Sequence, residues 1–258
     1  MEKRYFRGAK GDAYFSHLVS TTLLFLVPAT VSIPAKDVWI VIAALNEATR
    51  IGKTVLSLAP YGWNVVVVDD GSRDQTAEAS RQVGAVVLRH SINRGQGASL
   101  QTGIDFALVQ GASYIVTFDA DGQHQASDIP AMLESLVTNR ADVVLGSRFL
   151  GEAINIPTHR RLLLKAAVLF TRLTTGLHVT DTHNGLRALT ADAARRIEIE
   201  EDRMAHASEL LHCISSLRMK YIEHPVTVHY HRETLAKGQR SSEAWGVLTR
   251  LLISRLFT

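Results

Sequence analysis

Two aspartates one residue apart, Asp119 and Asp121 in the stretch VTFDADGQHQASD, follow an apolar run and are trailed by Gln123 and His124. In an extended chain residues i and i+2 project to the same side, so the two carboxylates can converge on one point. Adjacent anions repel unless a cation lies between them. Two carboxylates with the Gln123 amide make an all-oxygen donor set that suits Mg²⁺ or Mn²⁺, leaving positions for phosphate oxygens and water. The competing reading is a surface turn, because Asp-Gly at 121–122 is a common turn dipeptide. A second acidic pair, Asp69-Asp70, ends another apolar run, NVVVVDD, and tips the balance toward chemistry.

Carboxylates at the ends of separate apolar runs need a scaffold that brings those ends together. Val38 to Ala44, Asn64 to Val68, Ala85 to Leu88, Tyr114 to Phe118 and Asp142 to Leu145 each read as a strand. Between them lie helical patterns: one through Ile51, Val55 and Leu58, one opened by the capping-box spacing of Ser72 and Gln75, and one from about Ala98. Continuous Val/Ile runs suit strands covered on both faces, and intervening helices imply parallel pairing. The prediction is an α/β fold with a Rossmann-like, mostly parallel sheet flanked by helices. In such sheets ligands bind in the crevice beyond the carboxyl ends of the strands, where both acidic pairs fall.

Composition bounds the alternatives. The chain has 258 residues, 46% hydrophobic, with a formal net charge of +3. The cations are dispersed, so nucleic acid is not the partner to propose. Cys213, the single cysteine, cannot form an internal disulfide, which fits a reducing cytosol. Residues 1–36 carry Lys3, Arg4, Arg7 and Lys10 ahead of a mostly apolar run from Leu18 to Ile33. That run is broken by Pro28 and lacks an A-x-A site, so it reads as an extension outside the core, interfacial or an artefact of start-codon choice, rather than an export signal.

Other segments carry weaker signals. Gly95-Gln96-Gly97 fits neither a Walker pattern nor a full G-x-G-x-x-G, since Leu100 takes the last glycine position, and reads as a tight loop. The eleven histidines contain no H-x-x-H or H-E-x-x-H pair, and His124 is an exception only by location. Arg160 to Thr175 reads as a helix with Arg161, Lys165 and Arg172 on one narrow face. That face suits an anionic membrane surface or a lipid phosphate, or else is the solvated side of a core helix. Ser242 to Phe257 reads as an amphipathic helix, and Arg232 to Ser242, with Lys237 and Arg240, as a mobile basic loop.

The ordered motifs VIAALNEATRIGKTVLSL, VVVVDDGSRDQT, NRGQGASLQTGIDFAL, IVTFDADGQHQASDI and VLGSRF resemble those of family 2 glycosyltransferases with the GT-A fold. The nearest likeness is to dolichyl- and polyprenyl-phosphate mannose synthases. The resemblance implies a glycosyltransferase domain over 37–241, between the extension 1–36 and the helix 242–258. It implies that Ala43, Leu45, Glu47, Asp69, Asp70 and Asp119 hold the nucleotide, and that Asp119, Asp121 and Gln123 hold Mg²⁺ or Mn²⁺. Ala43 and Leu45 stand where the family usually has Pro and Tyr, so Leu45 would offer the base apolar contact in place of a ring. Asp121, Arg148 and Glu209 are the implied catalytic residues. Arg148, Arg161, Lys165, Arg187, Lys237 and Arg240 are the candidates for diphosphate and acceptor, with DTHNGLR, Asp181 to Arg187, on the acceptor side. The expected reaction is inverting, metal-dependent transfer of a sugar from a UDP- or GDP-linked donor to a polyprenyl phosphate by a cytoplasmic enzyme peripheral to the inner membrane face. Transfer to a glycan hydroxyl, for which Asp181 and Glu209 are candidate bases, and a binding module without turnover are the rivals.

Overall fold

The computed structural model describes residues 32–200 and 206–230. Most of the N-terminal extension, the basic loop with Lys237 and Arg240, and the C-terminal amphipathic helix lie outside the described residues. The first part of the chain alternates as the sequence pattern predicts: β1 (Val38–Ala44), α1 (Ile51–Leu58), β2 (Asn64–Asp69), α2 (Thr76–Gln82), β3 (Val86–Arg89), α3 (Gln96–Val109), β4 (Tyr114–Thr117), α4 (Ile129–Thr138) and β5 (Val143–Ile154). It continues through α5 (Thr158–Thr175), β6 (Arg187–Thr190), α6 (Ala191–Arg196), α7 (His206–Ser216) and β7 (Tyr221–His229).

The described strands form one sheet in the order β3-β2-β1-β4-β6-β5-β7. Pairings β3-β2, β2-β1, β1-β4 and β5-β7 are parallel, whereas β6 runs antiparallel to both β4 and β5. The unbroken valine runs follow from two-sided burial. In β1, Ile40 and Ile42 enter a core with α1 and α4, through Ile51, Leu58, Ile129 and Met132. Trp39 and Val41 enter a second core on the other face, with Leu100 and Ile104 of α3 and Leu210 and Ile214 of α7. Truncating a fully buried side chain such as Phe118 to alanine costs about 3–5 kcal/mol.

Two strands and two boundaries differ from the sequence reading. β6 is a four-residue RALT containing a buried arginine, and β7 contains Pro225, so neither presents an apolar run. The Ser72–Gln75 capping box does not form: the Ser72 hydroxyl accepts from the Asn46 N–H at 2.9 Å, and Asp74 accepts from Thr76 N–H at 3.0 Å where α2 opens. β5 runs on to Ile154, with a register shift against β7 between Ser147 and Glu152.

Candidate active site

The loops after β1 and β2 are tied to each other. Asn46, at φ 53°, receives the Arg73 N–H on Oδ1 at 2.9 Å, and Glu47 N–H donates to Thr76 Oγ1 at 2.8 Å. Gly71 follows β2 at φ 71°, and a Cβ there would lie 2.9 Å from the Ile92 carbonyl carbon, so this loop meets the one after β3 at a position that leaves no room for a side chain. Asp69 and Asp70 are 0% and 3% exposed. Asp69 accepts from Ser72 N–H at 3.0 Å and has Arg89 Nε 3.2 Å away. Asp70 accepts from Arg94 N–H at 2.9 Å and Gly95 N–H at 2.7 Å, and meets His90 Nδ1 at 2.8 Å. The glycine-bearing loop therefore spends these two donors on a carboxylate of its own chain. Leu45 is 40% exposed; Ala43 and Glu47 are half-buried, and Glu47 pairs with Arg50 at 3.0 Å.

Asp119 lies two residues past β4, and the antiparallel register explains its surroundings. Thr117 pairs with Arg187, so the same register carried two residues further sets Gly185 opposite Asp119. The Thr117 hydroxyl holds that alignment by donating to Gly185 O at 2.6 Å. A Cβ on Gly185 would overlap both carboxylate oxygens of Asp119, so this position has room only for hydrogen. On its other side Asp119 Oδ2 meets His124 Nε2 at 2.9 Å. Burial pushes the Asp119 carboxyl up, but His124, then Arg187 and His206, outweigh it and hold it below the usual carboxylate range.

Asp121 is positioned by a turn and not by strand alternation. Its Oδ1 accepts the Gln123 N–H at 3.0 Å across Gly122, whose φ is 74°. The Asp-Gly turn and the paired carboxylates are thus both present. Burial, then the charge of Asp119, pushes the Asp121 carboxyl up to about 6, with Glu47 adding to the repulsion. A group held this way favours a cation. Among the described residues no three His, Cys, Asp or Glu side chains gather into a metal cage. Asp119, Asp121 and half-buried Gln123 offer an all-oxygen set whose chemistry would suit a hard divalent ion.

Arg148, in β5, is only 5% exposed. Its Nε donates to Asp181 Oδ2 at 2.6 Å, its Nη2 to His183 O at 2.6 Å and its Nη1 to the Tyr230 hydroxyl. Burial pushes the guanidinium down, and Asp181 and Tyr230 more than restore it. Arg160 stands over the Tyr230 ring, 5.3 Å from its centroid. His183 is pushed down to about 4, first by burial and then by the charges of Arg148, Arg187 and Arg160 against the opposing pull of Asp181. Arg187 is buried, and its Nη1 has no hydrogen-bond partner among the described residues, as is also true of Asn184 Nδ2 and His124 Nδ1. Burial lowers the Arg187 guanidinium although Asp119 and Asp181 support its charge. Buried hydrogen-bonding capacity thus stands unspent beside the carboxylate pair among the described residues.

Residues 39–197 match the model of glycosyl transferase family 2. The chain belongs to that family. A UDP-N-acetylglucosamine–dolichyl-phosphate N-acetylglucosaminyltransferase of Methanococcus voltae is 28% identical over 86% of this chain and 97% of its own. An undecaprenyl-phosphate mannosyltransferase of Micrococcus luteus is 33% identical over 64% and 71%. A glucosyl-3-phosphoglycerate synthase of Mycobacterium tuberculosis, solved with Mg²⁺ and UDP, superposes with a TM-score of 0.66 at 19% identity, covering 86% of this chain and 78% of that one. The fold is GT-A.

Within this family 2 glycosyltransferase the expected site residues separate into groups. Asp119, Asp121, Arg148, Asp181 and Arg187 are linked by contacts or charge, as described. Arg148 departs from the open phosphate clamp read in GSRF, because three of its donors are committed inside the protein. Asp181 departs from the role of free base, since Oδ2 takes both the backbone N–H and the Nε of Arg148 and Oδ1 receives the His183 N–H. Glu209 accepts the Glu200 N–H at 2.9 Å, at the edge of the undescribed residues 201–205. Arg161 and Lys165 are exposed on α5, and Arg172 Nε donates to Val179 O at 2.8 Å. The cation that α5 turns inward is Arg160, which the basic-stripe reading passed over because it lies off the narrow face shared by Arg161, Lys165 and Arg172. His124 was marked by location alone, and its bond to Asp119 needed the fold to be seen.

Proposed function

We propose that this glycosyltransferase moves a sugar, with inversion, from a UDP- or GDP-linked donor to a polyprenyl phosphate, and that it works at the cytosolic face of a membrane with Mg²⁺ or Mn²⁺. The observation that carries the reading is the cluster of Arg148, Arg160 and Arg187 on the acceptor side, whose charges, after burial, push His183 down to about 4. A phosphate acceptor, already largely ionised at neutral pH with a second pKa of about 6, needs cations to position it and no base to activate it. A sugar hydroxyl needs a general base, and Asp181 is spent on Arg148. Arg187 Nη1 and Asn184 Nδ2 are the donors left for incoming oxygens.

Asp119, Asp121 and Gln123 would hold the divalent ion, which when bound offsets charge developing on the departing nucleoside diphosphate. His124 and Gly185 fix the Asp119 carboxylate between them, so that it stays oriented toward the donor side. Leu45 supplies an apolar surface for the base. The relatives that act on dolichyl or undecaprenyl phosphate support the acceptor class.

The test is a panel of UDP- and GDP-sugars ranked by thermal shift with Mn²⁺, followed by transfer to a short polyprenyl phosphate. Release of sugar only onto a saccharide acceptor would replace the lipid reading with the glycan one. A donor-induced shift with no transfer to either acceptor would point to a binding module.

A further inference from the structure

Helix α5 has two faces of unlike purpose. At about 100° per residue, Ala166, Leu169 and Leu173 lie within about 40° of Leu162 around the helix axis. These leucines are 70%, 60% and 78% exposed at positions 162, 169 and 173. Buried Leu164, Ala167, Val168 and Thr171 lie about 120–180° away. Arg161, Lys165 and Arg172 form a second ridge about 60–100° to one side of the leucines. The helix Thr158–Thr175 contains no Asp or Glu. A soluble surface helix normally turns leucine inward and charge outward; this one carries an outward apolar ridge about 16 Å long with a cationic flank.

We propose that this ridge is a docking surface for an anionic lipid bilayer, with Leu162, Leu169 and Leu173 entering the headgroup–acyl boundary and Arg161 and Lys165 meeting lipid phosphates. The inference rests on the lipid-acceptor reading for its purpose and on α5 alone for its chemistry. A second copy of the chain fits the same ridge less well. An antiparallel two-fold pairing would set the cationic flanks of two helices on the same side, against each other, with no acidic side chain on either to answer them. No described helix is long and apolar enough to cross a membrane, and with Arg160, Arg161, Lys165 and Arg172 along its length α5 is suited to lying in the interface. The same helix supplies Arg160 from its inward side, which couples docking to the acceptor-side cluster.

The experiment uses the full chain in flotation with phosphatidylglycerol-containing vesicles and with pure phosphatidylcholine vesicles. Replacing Leu162, Leu169 and Leu173 together by Gln is expected to weaken binding to anionic vesicles more than tenfold, with the melting temperature unchanged. Transfer to a short water-soluble polyprenyl phosphate stays at the wild-type level, while transfer to a long-chain acceptor embedded in vesicles falls with binding. Arg161→Gln and Lys165→Gln are each expected to cost about fivefold on anionic vesicles and nothing on neutral ones. Wild-type flotation by the triple-leucine variant would overturn the proposal and assign any membrane contact to residues outside α5. A dimer in light scattering that the leucine changes dissociate would overturn it in favour of a second copy. If no polyprenyl phosphate is ever glycosylated yet flotation still depends on the leucines, the acceptor reading falls and the docking surface stands.

Discussion

Asp121→Asn should make the metal-free protein more stable. The Asp121 carboxyl stands at about 6 against an ordinary 3.8, a displacement of about two units, or about 3 kcal/mol of repulsion and desolvation borne by the ionised form. The sign follows from the direction of the shift. A carboxyl raised on folding makes the folded state bind its proton more tightly, so its cost is complete above about pH 6 and is relieved as pH falls from 6 toward 4. Asp121 keeps part of its surface in solvent, which screens the repulsion, so about half of that ceiling is expected. Asparagine keeps the Oδ1 acceptor for the Gln123 N–H, so the turn survives. At about 2–4 °C per kcal/mol for a domain of this size, the variant should melt about 3–6 °C above wild type in EDTA at pH 7.5, with the gap closing near pH 4.5. Adding Mn²⁺ and a nucleoside diphosphate should reverse the order, because only wild type gains. Differential scanning calorimetry across that pH range is the assay. A variant that melts level with or below wild type in EDTA at pH 7.5 would show that the two carboxylates do not strain each other.

Three further outcomes follow from the same geometry. Divalent-ion affinity, by calorimetric titration, should fall about tenfold per pH unit below about 6, because the ion must displace the Asp121 proton; a flat profile would remove Asp121 from the ligand set. Gly185→Ala should push Asp119 aside and lower kcat/KM about a hundredfold, with weakened ion binding, and unchanged kinetics would mean that Asp119 is not held where Gly185 places it. Asp181→Asn should cost about 3–5 kcal/mol in urea denaturation by leaving the buried Arg148 cation without its counter-charge, and a loss under about 1 kcal/mol would show that solvent reaches the pair.

The parallel half of the sheet was readable because its inner strands, β1, β2 and β4, are largely buried on both faces and so are written as apolar runs rich in valine and isoleucine, while the edge strand β3, partly exposed, keeps the same Val-Val-Leu pattern. The same burial made the acidic strand ends conspicuous, and the pairing of Asp119 with Asp121 could be read from residue type and spacing. The means of their convergence could not, since a turn closed by a side-chain oxygen looks like any Asp-Gly. Arg148 illustrates a second limit of local reading. An arginine after a strand looks like a free clamp until its partners, Asp181 from a loop 33 residues on and Tyr230 beyond β7, are folded onto it. Asp69 and Asp70 stood out for the same reason as Asp119, yet their oxygens tie loops together.

One of the two strands that the hydrophobic pattern failed to signal, β6, lines the candidate site. A wholly parallel sheet brings carboxyl ends together, but it has no segment running back past Asp119. Antiparallel β6 supplies one, and its register decides what that segment offers. The pairing that sets Gly185 opposite Asp119 also sets Leu186 opposite Phe118, and both of those side chains lie in the same core. Leu189, with the other parity, lies in the core on the opposite face. A slip by one residue would turn Leu186 out of its core and present a side chain to Asp119 where only hydrogen fits. Burial of Phe118 and Leu186 thus fixes, one residue away, the geometry of the Asp119 carboxylate on which the proposed ion site depends. Core packing and the placement of Asp119 meet here in one strand, and a four-residue RALT gives little outward sign of either.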